Sequence, residues 1–160
     1  SGRFFLLCAV ADDEGKRSAA IGPLDPLLEQ YESEYHYLFR RVYEEARNGN
    51  GTPSLEHHYS MPNIARRLVE AFLAFRYPDC PGDLAKRLDR VDFDSGKKTR
   101  ILRLLNTYSH SGGIAEPEHD PSVLAETRPV LGDILDMIKS VDPTHYAGME
   151  QLVNEKEEPA

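Results

Sequence analysis

Ser60–Arg76, read as SMPNIARRLVEAFLAFR, is the stretch on which the fold turns. Ser60 suits a helix N-cap, Pro62 suits a first helical turn, and Pro78 stops a helix that runs to about Arg76. At 100° per residue, Ile64, Leu68, Ala71, Phe72 and Phe75 fall within one arc of about 100°. The spacing therefore predicts an amphipathic helix over 61–76 that buries that arc. Arg66 and Glu70 lie roughly opposite, about 40° apart, as i,i+4 neighbours on the polar face.

The same periodicity extends in both directions. Leu27, Leu28, Tyr31, Tyr35, Leu38, Phe39, Val42 and Tyr43 recur at helical spacing and predict a helix from Pro26 to about Arg47. Asn48 to Pro53 (NGNGTP) is a loop. A short helix is expected over 81–91 and a loop over 92–96. Ile101, Leu104, Leu105 and Tyr108 form the apolar side of a helix over 97–110, which Ser111-Gly112-Gly113 ends. Its opposite side carries Arg103, Asn106 and His110, with Arg103 and His110 aligned within about 20°. Beyond a polar loop, a long helix is expected over 121–141, with Leu124, Val130, Leu131, Ile134, Leu135 and Ile138 apolar. Asp142 caps a last helix, from Pro143 to about Val153.

Before the helices, Arg3–Val10 (RFFLLCAV), a turn at Asp12–Gly15 and Arg17–Ile21 read as a β-hairpin. A lone hairpin is barely stable in water, so it must pack on helices or belong to a sheet in an N-terminal part outside this chain. The expected organisation is a hairpin over 1–22 that ends a lobe of an N-terminal part outside this chain, a helical domain over 23–153 and a frayed tail over 154–160. The chain opens on Ser1-Gly2 without an initiator methionine and is read as a fragment of a larger protein.

Composition narrows the function classes. With 160 residues, 40% hydrophobic and 29% charged, the chain has an ordinary globular balance. A net charge of −8 argues against a surface that coats nucleic acid throughout, yet leaves room for a local basic cleft. Cys8 and Cys80 form no CxxC pair, so zinc and dithiol chemistry have no support, and a reducing compartment fits better. Phe4–Ala11 is too short to span a bilayer; no membrane is expected, and the location is read as cytoplasmic.

Several local features have simple readings. Ser95-Gly96-Lys97-Lys98-Thr99 lacks the first glycine and the spacing of a phosphate loop, and is read as a basic helix start. His57-His58 cannot share a helix face, and is read as a solvent-facing polar pair rather than a metal site. Glu32 and Glu34 are read as solvated carboxylates flanking an aromatic core stripe.

Arg66 and Glu70 form an ordinary exposed ion pair if taken alone, and the Arg103, Asn106, His110 stripe forms a solvated face. Together they hold the groups that RNA cleavage requires. A base must serve the 2′-hydroxyl, an acid the leaving oxygen and a cation the charge that develops on phosphorus. His110 is suited to act as base or acid near neutral pH. Arg66 or Arg103 is suited to grip a phosphate, and Glu70 to orient an arginine or share the proton work.

Tyr31–Phe39 (YESEYHYLF), Met61–Pro78 (MPNIARRLVEAFLAFRYP), Arg103–His110 (RLLNTYSH) and Asp142–Tyr146 (DPTHY), in that order, resemble the C-terminal region of the bacterial anticodon-nuclease family, whose members carry an SMC-like ABC-type ATPase head. The resemblance spans roughly residues 3–150, and the stretch around Asn63–Phe75 is its most specific part. It implies a mainly α, HEPN-like helical bundle with metal-independent ribonuclease activity, with a tRNA anticodon loop as the expected substrate. Arg66 and Glu70 match the family's Arg-x3-Glu pair, and His110 is the candidate for its later histidine. Arg103 and His110 also match the Arg-x(4–6)-His pattern of HEPN domains at its longest spacing, with Asn106 inside it. Asn63 and Asn106 are the candidate supporting or RNA-contacting residues. No cofactor is expected in these residues; ATP and Mg belong to the N-terminal ATPase head of the same parent chain. A homodimer is a further expectation, since a symmetric partner would close a site on outward-facing polar arcs. The competing reading is a non-catalytic helical module that dimerises or docks a partner for the ATPase. The acidic charge and the aromatic first helix favour it.

Overall fold

The computed structural model describes residues 5–11, 16–23, 33–47, 55–80, 82–106 and 121–155. The predicted turn at Asp12–Gly15, residues 26–32 of the predicted first helix, the Asn48–Pro53 loop, Tyr108, His110, the Ser111–Gly113 helix stop and the chain end from 156 on lie outside them. The described elements are strands β1 (Phe5–Ala11) and β2 (Arg17–Pro23), then helices α1 (Glu34–Arg47), α2 (Leu55–Arg76), α3 (Leu84–Asp89), α4 (Ser95–Asn106), α5 (Pro121–Val141) and α6 (Pro143–Glu155). The fold is mainly helical with an N-terminal hairpin, as the periodicity predicts. No helix among the described residues is long and apolar enough to cross a membrane.

The chain divides into two compact units, Ser1–Tyr37 and Leu38–Ala160. In the first, β1 and β2 pair antiparallel with Leu7 opposite Ile21 and Ala9 opposite Ala19. Side chains alternate across a strand, so Phe5, Leu7 and Ala9 share one face with their partners Ala19, Ile21 and Pro23. That apolar face is exposed: Phe5, Leu7 and Ile21 are all open to solvent.

The helical unit is built around α5, which packs against α2, α4 and α6. Val130, Leu131, Ile134, Met137 and Ile138 of α5 are buried, together with Ile101, Leu104 and Leu105 of α4 and Leu38, Phe39, Val42 and Tyr43 of α1. Burying each such aliphatic side chain contributes on the order of 2 kcal/mol, which outweighs the weak propensity differences among these residues. Short polar residues set the helix starts. The Ser33 hydroxyl accepts from the His36 N–H, the Asp83 carboxylate from Lys86, Asp94 from Lys97 and Asp142 from His145.

Two details of α2 differ from the reading of its sequence. The helix begins at Leu55, so Ser60 lies within it and Pro62 occupies its interior. A proline there forfeits one backbone hydrogen bond, but Met61 and Pro62 are both buried, and that packing holds the helix through the gap. The buried arc is also displaced. Met61, Ala65, Leu68, Val69, Phe72 and Leu73 are buried, whereas Phe75 is 87% exposed. At 100° per residue, this arc is centred roughly 75° from the predicted one. The hydrophobic count along the sequence placed Phe75 inside because it weighs every aromatic alike; the neighbours α4 and α5 select the Val69–Leu73 side instead.

Candidate functional site

The displacement of that arc sets the position of Arg66. Instead of lying opposite the core, Arg66 flanks it, half-buried beside α4, with its side chain 29% exposed. Its Nε donates to Glu70 Oε1 at 2.8 Å. One terminal nitrogen donates to the Leu105 carbonyl and to Asn106 Oδ1, each at 3.2 Å. The guanidinium thus joins a carboxylate on its own helix to the last residues of α4. The last turn of a helix lies at the negative end of the helix dipole, so a cation is favoured beside Leu105 and Asn106. The guanidinium presents separate donors in fixed directions, Nε to Glu70 and a terminal nitrogen to the end of α4.

Arg66, Glu70 and Asn106 are therefore brought together by direct hydrogen bonds. Asn63 is exposed on α2, and its i,i+3 and i,i+7 spacing puts it on the same flank as Arg66 and Glu70. Arg103 is exposed one turn before Asn106, and a terminal nitrogen of it meets Glu126 Oε2 of α5 at 3.1 Å. It does not pair with Glu70 in any of these contacts; its carboxylate partner comes from α5. His110 lies outside the described residues, four positions beyond Asn106.

Two further clusters were not legible from spacing. Asp133 of α5, 6% exposed, accepts from Arg100 at 2.6 and 3.2 Å and lies 3.0 Å from Lys97 Nζ. Lys97 also reaches Asp136 at 2.9 Å. Hydrogen bonds from Lys97 to Asp136 and then Asp133 raise the lysine's pKa, and the bond to Asp133 raises that of Arg100. In the second cluster, Glu150 Oε1 of α6 accepts from the Tyr43 hydroxyl and from Arg47, both at 2.9 Å, with the Tyr146 hydroxyl at 3.5 Å. Burial, and then the bond to Glu150, push the Tyr43 phenol up to about 12. An Asp at an interior helix position was the only sequence hint of the first cluster, and Tyr43 and Glu150 are too far apart in the chain for periodicity to link them.

A family model described as an AAA domain matches residues 1–136, spanning the hairpin and the helices as far as Asp136 in α5. The chain belongs to the AAA domain family. No curated protein and no solved structure matches it.

For an AAA domain family member, the stretch to test against nucleotide phosphates is Ser95–Thr99. It follows a bend after α3 rather than a strand, and it opens α4. Lys97 is held by Asp133 and Asp136, and the Lys98 amine reaches the Asp89 and Val91 carbonyls at 3.3 and 3.0 Å. Thr99 donates back to the Ser95 carbonyl at 2.9 Å. These side chains tie α4 to its neighbours, and two carboxylates stand where phosphate would need to be. The stretch does not fit a nucleotide.

Proposed function

We propose that this chain is the ribonuclease effector region of a larger ATPase, with RNA, in particular a tRNA anticodon loop, as its substrate. One observation carries the reading: the Arg66 guanidinium gathers Glu70 and the end of α4 into one polar cluster. His110 follows Asn106 by four positions, and a chain of that length spans at most about 14 Å, so covalent connectivity bounds its distance from that cluster. In this reading His110 takes the proton from a 2′-hydroxyl while water protonates the leaving 5′-oxygen, or His110 protonates that oxygen while Glu70 or water accepts the 2′ proton. The 2′-oxygen attacks the adjacent phosphorus and the bond to the 5′-oxygen breaks, leaving a 2′,3′-cyclic phosphate and a 5′-hydroxyl. Arg66, fixed in orientation by Glu70, faces the charge that develops on the phosphoryl oxygens. Asn63 and Asn106 border the same flank as hydrogen-bonding partners for the nucleotide. ATP and Mg act in the ATPase head of the parent chain in this reading, and a second copy closes the site.

The parent protein incubated with total RNA provides the test. Cleavage leaving cyclic phosphate ends is expected, and His110→Ala is expected to slow it by at least ~100-fold, the usual scale for losing a general acid or base. Undiminished cleavage by well-folded His110→Ala would overturn the assignment.

A non-catalytic docking module is the second reading. What favours it is that Arg66 also serves to tie the end of α4 to α2, a purely structural use of the same contacts. If so, Arg66→Ala would loosen the fold, and no RNA-cleaving activity would be found in the parent.

A further inference from the structure

The seam between α4 and α5 is bridged by acids of two kinds. Lys97 and Arg100 close on Asp133, whose side chain is only 8% exposed. Arg103, two turns along α4 from Gly96, closes on Glu126, whose side chain is 49% exposed, while that of Arg103 is 55% exposed. The Asp133 bridge belongs to the packed seam. The Glu126 bridge faces water, where such pairs are weak and exchange readily.

Resting on the ribonuclease reading, we propose that Glu126 acts as a built-in phosphate mimic: its carboxylate occupies Arg103, and an RNA phosphate must displace it to engage the site. Carboxylate and phosphate oxygens present the same charge and a similar spacing to a guanidinium fork, so one arginine serves either in turn. Arg103 stands one helical turn before Asn106, which Arg66 holds, so an RNA strand on the Arg66 cluster runs within reach of it. Glu126 therefore lowers RNA affinity and restrains cleavage until the phosphate replaces it. The competition is modest by construction, because an exposed pair is worth no more than about a fivefold factor.

A stem-loop RNA with 2′-O-methyl groups, which binds but cannot be cut, is the probe. Its affinity is measured for the parent protein and for Glu126→Gln, Arg103→Ala, the double variant and Arg66→Ala, with unmodified stem-loop used for cleavage rates. Glu126→Gln is expected to tighten binding ~3- to 5-fold and speed cleavage at subsaturating RNA. Arg103→Ala is expected to weaken binding, and the gain from Glu126→Gln should vanish in its presence. A gain that persists beside Arg103→Ala comes from removing a negative charge anywhere nearby, and it overturns the proposal. Weakening by Arg103→Ala with no gain from Glu126→Gln also overturns it, while leaving the ribonuclease reading intact. If neither Arg103→Ala nor Arg66→Ala changes binding or cleavage, the ribonuclease reading itself fails.

Discussion

Single residues in this protein draw their roles from what the fold sets beside them. Tyr43 is the clearest case: on α1 it is one member of an aromatic stripe, stacked on Phe39 with ring centres 6.0 Å apart. Its hydroxyl reaches a carboxylate on α6, with the Arg47 guanidinium 4.2 Å from its ring centre. A phenol raised from 10.0 to about 12 holds its proton more tightly folded than unfolded. Its contribution to stability is therefore complete below pH 10 and is lost as pH rises toward 12. Tyr43→Phe is expected to flatten the decline in stability across that window, as read by urea unfolding at stepped pH. An equal decline in the variant would count against this assignment. In a spectrophotometric titration of the native protein, Tyr43 is expected among the last tyrosines to ionise.

Helix α2 carries the lesson at the level of the element. Its amphipathic period was visible in the sequence, but the direction of its buried face was not. Phe72 and Phe75 are one turn apart and equally apolar, yet Phe72 is 7% exposed and Phe75 87%. Phe72 also stacks on His145 of α6, with ring centres 5.7 Å apart. Phe72→Ala is expected to cost about 3 kcal/mol, and Phe75→Ala less than about 0.5 kcal/mol. Equal losses in denaturant midpoints would restore the arc that spacing alone suggests. The same rotation that frees Phe75 carries Arg66 to the α4 seam, so one packing choice decides both the core and the candidate site.

The whole molecule consists of a hairpin unit and a helical unit, each with its own internal contacts. The helical unit has its buried side chains on α1 to α6, so it should hold together alone. A chain beginning at Ser33 is expected to unfold cooperatively, with a midpoint within a few degrees of the 160-residue chain, as followed by circular dichroism. A broad, non-cooperative transition would mean that the hairpin supplies part of the helical core. Membership of the AAA domain family does not by itself give these residues a nucleotide site. Because Lys97, Lys98 and Thr99 are committed to carboxylate and carbonyl partners, calorimetric titration of residues 1–160 with Mg-ATP is expected to yield no micromolar binding.

Local patterns were enough to determine which segments are helical, where the helices ending at Arg47, Arg76 and Val141 stop, and that the strands pair as a hairpin. Backbone propensity, capping by Ser, Asp and Pro, and apolar period all act over a few residues, so they can be read from neighbours in the chain. The pairing of Arg66 with Glu70 was legible for the same reason, since i,i+4 geometry belongs to the helix itself. Tertiary structure alone decided that Arg66 reaches Leu105 and Asn106, that Arg103 turns to Glu126, and that Asp133 and Glu150 each gather cations or phenols from distant helices. Those contacts depend on how far each helix rotates about its axis when several apolar surfaces are packed together. That rotation minimises the exposed area of the whole core, a quantity that no single stretch of sequence contains.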